Sequence, residues 1–387
     1  MSTASAPVNS IAIPTRDELL AKAAAIIPVL RENAGITEKD RRVADDNIQV
    51  LRSAGLARMA TEKRFGGYEA DLLTQLLALV EIGKGCPSTG WVEAILLAGR
   101  EMIRSLSEDA KQEVFGDNPD AHMFTSNSPT GTITQAPGGY LVNGKWGFCS
   151  GSDHAKWGFL MCLAKDEAGN PTGMAMAVVP KDELIKHDVW HVAGMSGTGS
   201  NTWEAKNVFV PEHRATLAVV MRPGSTTAMS LTLLAVVLGA ARGAQDLIVS
   251  QLASGRAVTY SKILDAAGSP IVQVWLAEAV ALFDRAEAEL RAAAVIAEEW
   301  LETGTVPPAD GARMRYRIAD ALESVRLGMN KLLDLGGASS FAYSNPLQRF
   351  WRDIEVGSRH AQLNNYIPRE DYGRTLLGST DVISILE

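Results

Sequence analysis

Only three cysteines occur in 387 residues, Cys86, Cys149 and Cys162, and no two of them share a metal-ligand spacing. A disulfide-stapled secreted scaffold is therefore not expected, and an intracellular, cytoplasmic setting is. Runs of basic residues are absent as well. With a net charge of −8, the chain lacks the electrostatic footprint of a nucleic-acid partner. No stretch reads as the ~20 apolar residues that a membrane span requires; the richest, Leu231–Ala241, reads as a buried helix. Met1–Pro14 has no charged segment followed by an apolar one, so no secretory leader is expected. The six histidines include no helical pair at metal spacing and no His-Glu-x-x-His, and no metal is expected. A Gly-x-Ser-x-Gly elbow is missing, which disfavours hydrolysis. The glycine run Gly336-Gly337-Ala338-Ser339-Ser340 lacks the lysine of a P-loop. Gly194-Met195-Ser196-Gly197-Thr198-Gly199-Ser200 does not pass from strand to helix, so it is no dinucleotide fingerprint.

What is present is ordinary globular chemistry, 46% hydrophobic and 21% charged, in a chain long enough for two or three packed units. From Thr15 to about Asp120 the signals are helical. Thr15-Arg16-Asp17-Glu18 is a capping box ahead of the apolar face Leu19, Leu20, Ala23, Ile27 and Leu30. Thr37 is expected to open a second helix that ends near Gly55, with further helices at 70–84 and 88–105 and a short one from Ser107. From Met123 to about Val210 short β-rich runs alternate with turns, which predicts a compact antiparallel barrel or sandwich. After Pro223-Gly224 the helical period returns. Segments near 226–252, 265–302, 308–335 and 346–375 predict a four-helix bundle. The expected units are an N-terminal helical domain (1–121), a middle β domain (122–215) and a C-terminal four-helix bundle (216–387).

The most informative stretch is Gly144–Trp157, which follows the turn at Pro137-Gly138-Gly139. At a strand's period of two, Phe148 and Ser150 share a side, so a flat conjugated ring can lie on the phenyl group while the hydroxyl reaches an edge nitrogen. His360, late on the last long helix, can exchange a proton near neutral pH; a plain surface histidine is the competing reading. Gly336–Ser340 can hold a phosphate through backbone N–H groups and hydroxyls, or be a simple inter-helix turn. Ser126-Asn127-Ser128 offers hydroxyl and amide donors, with turn chemistry as its bland alternative.

Phe65-Gly66-Gly67, Gly85-Cys86-Pro87-Ser88-Thr89-Gly90-Trp91, Gly194–Ser200 with Val210-Pro211, Gly336-Gly337 and Arg352-Asp353 occur in an order that resembles the acyl-CoA dehydrogenase fold superfamily over nearly the whole chain. The fold so implied is mostly α with a central β domain. Trp146–Gly151 followed by His154-Ala155-Lys156-Trp157, and Arg352-Asp353 followed by His360, are similar to the two-component flavin-dependent monooxygenase branch. That resemblance implies reduced FAD or FMN supplied by a separate NAD(P)H:flavin reductase, O2 as co-substrate, a flavin C4a-hydroperoxide, and transfer of one oxygen atom to a small, aromatic or heteroaromatic substrate. It implies Ser150 at flavin N5, Phe148 on the ring, Ser126 and Asn127 near the pyrimidine edge or the substrate, and Trp91 at the substrate. His360 would act over the ring. Gly337, Ala338 and Ser339 would line the phosphate site, with Arg256 as a further phosphate contact, in a homotetramer built through the bundle.

The rivals are an acyl-CoA dehydrogenase with bound FAD, an N-oxygenase of an amine or amino sugar, and a catalytically silent helical assembly protein. Glu370-Asp371-Tyr372-Gly373 stands where the dehydrogenases commonly carry Tyr-Glu-Gly. Some relatives have a further active-site histidine on the helix after Trp91, and Val92–Gly99 has none. The substrate is therefore expected to be an indole, a heteroaromatic sulfur compound or an amine, or a phenol activated by His360.

Overall fold

A computed structural model describes residues 12–217, 219 and 221–385; the leader reading of Met1–Pro14 falls largely outside them. The capping box forms as expected: Thr15 Oγ1 accepts from Glu18 N–H, and the Glu18 carboxylate accepts from Thr15 N–H at 2.7 Å. It starts α1 (Arg16–Glu32), which buries Leu19, Ala23, Ile26, Ile27 and Leu30. Thr37 opens no helix. It lies inside the short α2 (Ala34–Lys39), where its hydroxyl accepts from Ala44 N–H and braces the turn into α3 (Asp45–Ser53). Asp71 caps α4 (Leu72–Gly85), Pro87 opens α5 (Pro87–Met102), and Ser107 caps α6 (Glu108–Phe115).

Seven strands follow among the described residues: β1 (Met123–Ala136), β2 (Gly139–Cys149), β3 (Trp157–Lys165), β4 (Pro171–Pro180), β5 (Ile185–His187), β6 (Asn201–Pro211) and β7 (Ala215–Thr216). They form one sheet in the order β5-β6-β2-β1-β3-β4-β7. The expectation of antiparallel pairing fails at its centre, where β1 and β3 run parallel. β1 reaches β3 only after β2 and the loop carrying Ser152–His154, a crossover long enough to reverse the direction. The sheet curls so that Phe124, Trp146 and Leu160 share one core with Val179, Trp203 and Val210 from strands on both sides. Pro137-Gly138 makes the β1–β2 turn, with Gly138 at φ +78°.

The last part contains α7 (Ser225–Ala253), α8 (Pro270–Thr303), α9 (Pro308–Gly336), α10 (Pro346–Gly357) and α11 (Ile367–Leu376). α7 is the one helix among the described residues long and apolar enough to cross a membrane, and 94% of that apolar window lies inside the protein. It matches the helix expected over 226–252, and its polar residues Ser225, Thr227, Ser230 and Thr232 are buried too. Its backbone meets that of α4 at paired glycines: a Cβ on Gly239 would lie 2.3 Å from the Val80 carbonyl oxygen, and one on Gly83 2.8 Å from that of Val236. The helix expected over 346–375 is broken. α10 stops at Gly357, a 3-10 turn spans Ala361–Leu363, and α11 begins at Ile367 before Pro368. His360 therefore sits in the break, not on a helix.

Candidate functional site

The glycine-rich loop between β5 and β6 organises the site. Met195 (φ +54°) and Gly199 (φ +56°) are both left-handed, which folds Gly194–Ser200 back on itself. For Met195 that backbone is costly, and it is held from outside: its N–H donates to the buried Asp353 carboxylate of α10. Gly194 passes so close to the Arg352 carbonyl that a Cβ would lie 2.1 Å from its oxygen. Arg352 in turn donates to the Ala193 carbonyl and pairs with Glu38, which also binds Arg349 at 2.7 Å. Burial pushes the Asp353 carboxyl up to about 7.

Three groups converge on Met195. Trp190 Nε1 donates to its carbonyl at 3.1 Å, and the Trp190 ring meets Phe148 edge to face at 5.8 Å. Trp91 and Val237 surround Gly357, together with the Met195 methyl. Thr198 Oγ1 lies 2.8 Å from the Met195 carbonyl, 2.6 Å from Ser200 Oγ, and through it reaches Ser150 Oγ at 2.7 Å. Gly151 N–H closes the assembly on the Thr198 carbonyl, with Val92 of α5 packed on Gly151.

The expectation that Phe148 and Ser150 lie on one side of a strand is overturned. Phe148 has φ +58°, and the β2–β6 register slips between Trp146 and Cys149. This bulge throws the Phe148 ring outward, 73% exposed, while Ser150 is buried just past the strand end. Ser126 is buried on the neighbouring strand, its hydroxyl 3.4 Å from the Gly147 carbonyl. Trp91 and His360 meet with ring centroids 5.6 Å apart. His360 Nδ1 accepts from Gln362 N–H, and burial depresses its pKa, so the ring is neutral at pH 7 with the proton on Nε2.

Asn127 points elsewhere, its amide 3.6 Å from Met229 Sδ. Met229 lines a cavity of about 640 Å³ between α4, α5 and α7, whose apolar walls include Leu97, Ala98, Met102 and Met176. Arg256 donates to the Leu335 carbonyl at the end of α9, beside Gly337 (φ +70°), Ala338 and Ser339. Those three residues are exposed, and Ser339 donates to the Gly336 carbonyl at 3.3 Å. The structure thus brings Phe148, Ser150, Ser126, Trp91 and His360 to one locus, and Arg256 with Gly337–Ser339 to another. Trp190, Thr198, Ser200 and Asp353 were missed as site residues. The signal for them was the glycine spacing of 194–199, since such a loop must be pinned by its neighbours.

The residues present suit a flat conjugated ring with a polar edge: an outward phenyl, a buried hydroxyl two residues further on, and a neutral imidazole against an indole. Comparisons with known proteins settle the family. Residues 21–116 match the N-terminal domain of the acyl-CoA dehydrogenases, and residues 231–365 match a C-terminal domain of the same group. The oxygenase subunit HsaA of a flavin-dependent monooxygenase from Rhodococcus jostii is 33% identical over 87% of this chain and 92% of its own length. This chain belongs to the flavin-dependent monooxygenases. A resorcinol hydroxylase oxygenase component from Rhizobium, described as FADH2-dependent, is 30% identical over 93% of this chain and 94% of its own length. The structure of XiaF from Streptomyces, solved with FADH2 and glycerol, superposes with a TM-score of 0.91 at 31% identity, covering 96% of this chain and 98% of XiaF.

This monooxygenase is an oxygenase component that works with reduced flavin, and the two-component design implies a separate flavin reductase. The dehydrogenase alternative also loses its candidate base. Glu370 pairs with Arg374 at 2.7 Å, and buried Asp371 accepts from Ile383 and Ser384 N–H, holding the C-terminal tail.

Proposed function

We propose that this monooxygenase oxygenates a small aromatic molecule held in the cavity between α4, α5 and α7, with reduced flavin seated against Phe148 and Ser150. The observation that carries the reading is the framework around Met195, which reaches Ser150 through Thr198 and Ser200, Phe148 through Trp190, and the Trp91–His360 pair at Gly357. In this reading Phe148 packs on the ring, Ser150 holds the N5 edge, and Ser126 lies at the pyrimidine side. Asn127, beside Met229, reaches the substrate. Bound reduced flavin supplies the electrons that activate O2. The protein's part is to keep the reacting centre dry and to aim it. FAD is favoured over FMN by the FADH2 relatives at 30% and 31% identity.

His360 is the proton-exchanging group at the Trp91 edge of the site. Val92–Gly99 of α5 brings no second histidine: Leu97 and Ala98 face the cavity, and Gly99 packs on Thr125. That favours an indole, or a phenol activated by His360 alone. Gly337, Ala338 and Ser339, with Arg256 bracing the end of α9, form an exposed phosphate-binding rim completed by a neighbouring subunit of a homotetramer. Exposed Ile271, Val274 and Val295 on α8 and Leu327 on α9 support assembly through the bundle. The units 1–121, 122–215 and 216–387 then act as two helical walls and a β floor. Three free, buried cysteines fit a cytoplasmic location, and the reductase partner would draw on NAD(P)H.

The test is anaerobic mixing with reduced FAD or FMN, then O2 with a panel of phenols and indoles, scoring hydroxylated product against H2O2. Product with at least one aromatic class is expected. Reoxidation of the flavin at the protein-free rate, with no product, would sink the assignment.

A further inference from the structure

The hydroxyl chain ending at Ser150 has a direction. Thr198, Ser200 and Ser150 are 2%, 4% and 4% exposed, so their protons are committed inside the protein. A hydroxyl has one proton to give and two lone pairs to receive with. The Met195 carbonyl at the inner end can only accept; Trp190 Nε1 and the Thr198 N–H each donate to it at 3.1 Å, and Thr198 Oγ1 is the nearest donor, at 2.8 Å. Once Thr198 has donated to it, the 2.6 Å contact with Ser200 requires Ser200 to donate to Thr198. The 2.7 Å contact between Ser200 and Ser150 then requires Ser150 to donate inward to Ser200. Ser150 Oγ is left with lone pairs alone for anything outside the protein.

The loop is built to keep this order. The left-handed turns at Met195 and Gly199 bring Thr198 back over the Met195 carbonyl, and Asp353 pins the Met195 N–H on the far side of that residue. Reduced flavin carries a proton on N5, whereas oxidised flavin presents a bare nitrogen lone pair there. An acceptor-only Ser150 pairs with the first and opposes the second. Resting on the reading that Ser150 contacts N5, we propose that Thr198 and Ser200 are positioning residues that fix Ser150 as an acceptor, and that this makes the site prefer reduced over oxidised flavin. An oxygenase that receives its flavin from a separate reductase gains from that preference, because spent flavin competes less for the site.

The test is the ratio of dissociation constants for oxidised and reduced FAD, measured anaerobically by equilibrium dialysis. The variants are Thr198→Val, Thr198→Ser, Ser200→Ala and Ser150→Ala, each checked for folding by circular dichroism. The native protein should bind reduced FAD more tightly. Thr198→Val removes the inward donor, so Ser200 and then Ser150 can turn their protons outward; the ratio should fall about three- to tenfold, the size of one hydrogen bond. Ser200→Ala should do the same, and Thr198→Ser should restore the native ratio. Folded Thr198→Val and Ser200→Ala proteins with the native ratio would overturn the proposal, provided Ser150→Ala still weakens reduced FAD. If Ser150→Ala leaves both constants unchanged, the fault is in the placement of Ser150 at N5, and the proposal falls with it.

Discussion

The rings of Trp91 and His360 meet edge to face, with centroids 5.6 Å apart and planes at 65°. Residues 269 positions apart in sequence are joined because α10 stops at Gly357, where a side chain would strike Met195 and Trp91. The break then turns His360 onto the indole. Burial keeps the imidazole neutral to below its usual pKa near 6.5. His360→Ala should lower the product formed per reduced flavin consumed by about tenfold, in the lower range for one proton-exchanging group, while flavin affinity changes little. In the native protein that yield should be flat from pH 8 to 6.5 and fall only in more acidic buffer. A yield already halved at pH 6.5 would contradict a neutral, buried imidazole.

Ser150→Ala removes the hydroxyl at the outer end of the Thr198–Ser200 chain. More of the reducing equivalents should then appear as H2O2. A rise of about threefold or more is expected from the loss of one buried hydrogen bond. A peroxide assay beside product quantitation checks it, and normal coupling would mean the active centre lies elsewhere.

Asp353 on α10 accepts from the Met195 N–H of the β5–β6 loop. Asp353→Ala leaves that buried donor unpaired, at about 1–3 kcal/mol, and releases the loop that carries Thr198 and Ser200. Urea unfolding should show the lost stability, and flavin binding should weaken with it. Asp353→Asn keeps an acceptor oxygen and should retain most of both.

Glu93 is fully buried on α5, and neither carboxylate oxygen has a hydrogen-bond partner among the described residues. Desolvation raises its pKa from 4.5 to about 7, with Arg100 pulling it back. Between those values the folded protein holds a proton the unfolded chain has released, so stability from this group falls as pH rises and the full cost stands above pH 7. Glu93→Gln cannot ionise. It should raise the melting temperature at pH 8 by about 2 °C or more and change it less at pH 5. Buried His122 and His154 titrate with the opposite slope, but they are common to both proteins and cancel in the difference. An equal effect at the two pH values would refute the burial argument.

Gly239 lies against the backbone of α4, where a Cβ would sit 2.3 Å from the Val80 carbonyl oxygen. Gly239→Ala should therefore cost about 1–3 kcal/mol by forcing α4 and α7 apart. Denaturant titration measures it. Gly255→Ala, with open space at its Cβ position but φ +76°, is the contrasting control and should cost about 1 kcal/mol from backbone strain alone.

The sequence by itself determined what depends on neighbours a few residues away. The Thr15–Glu18 box, the Ser107 cap, the Pro137-Gly138 turn and the long apolar run of α7 are all local patterns, and the structure forms each of these elements. The order of the glycine-rich and aromatic motifs also carried the family. Tertiary structure alone decided which side chains meet. A positive φ at Phe148 reversed the facing read from a strand's alternation, because one bulged residue flips everything after it. The break after Gly357 moved His360 off a helix, and the end of α9 took the Arg256 side chain. Ser200 and Asp353 matter through partners 50 and 158 residues away in sequence. No periodicity records such pairings; they exist only once the loop, the sheet edge and α10 are packed together.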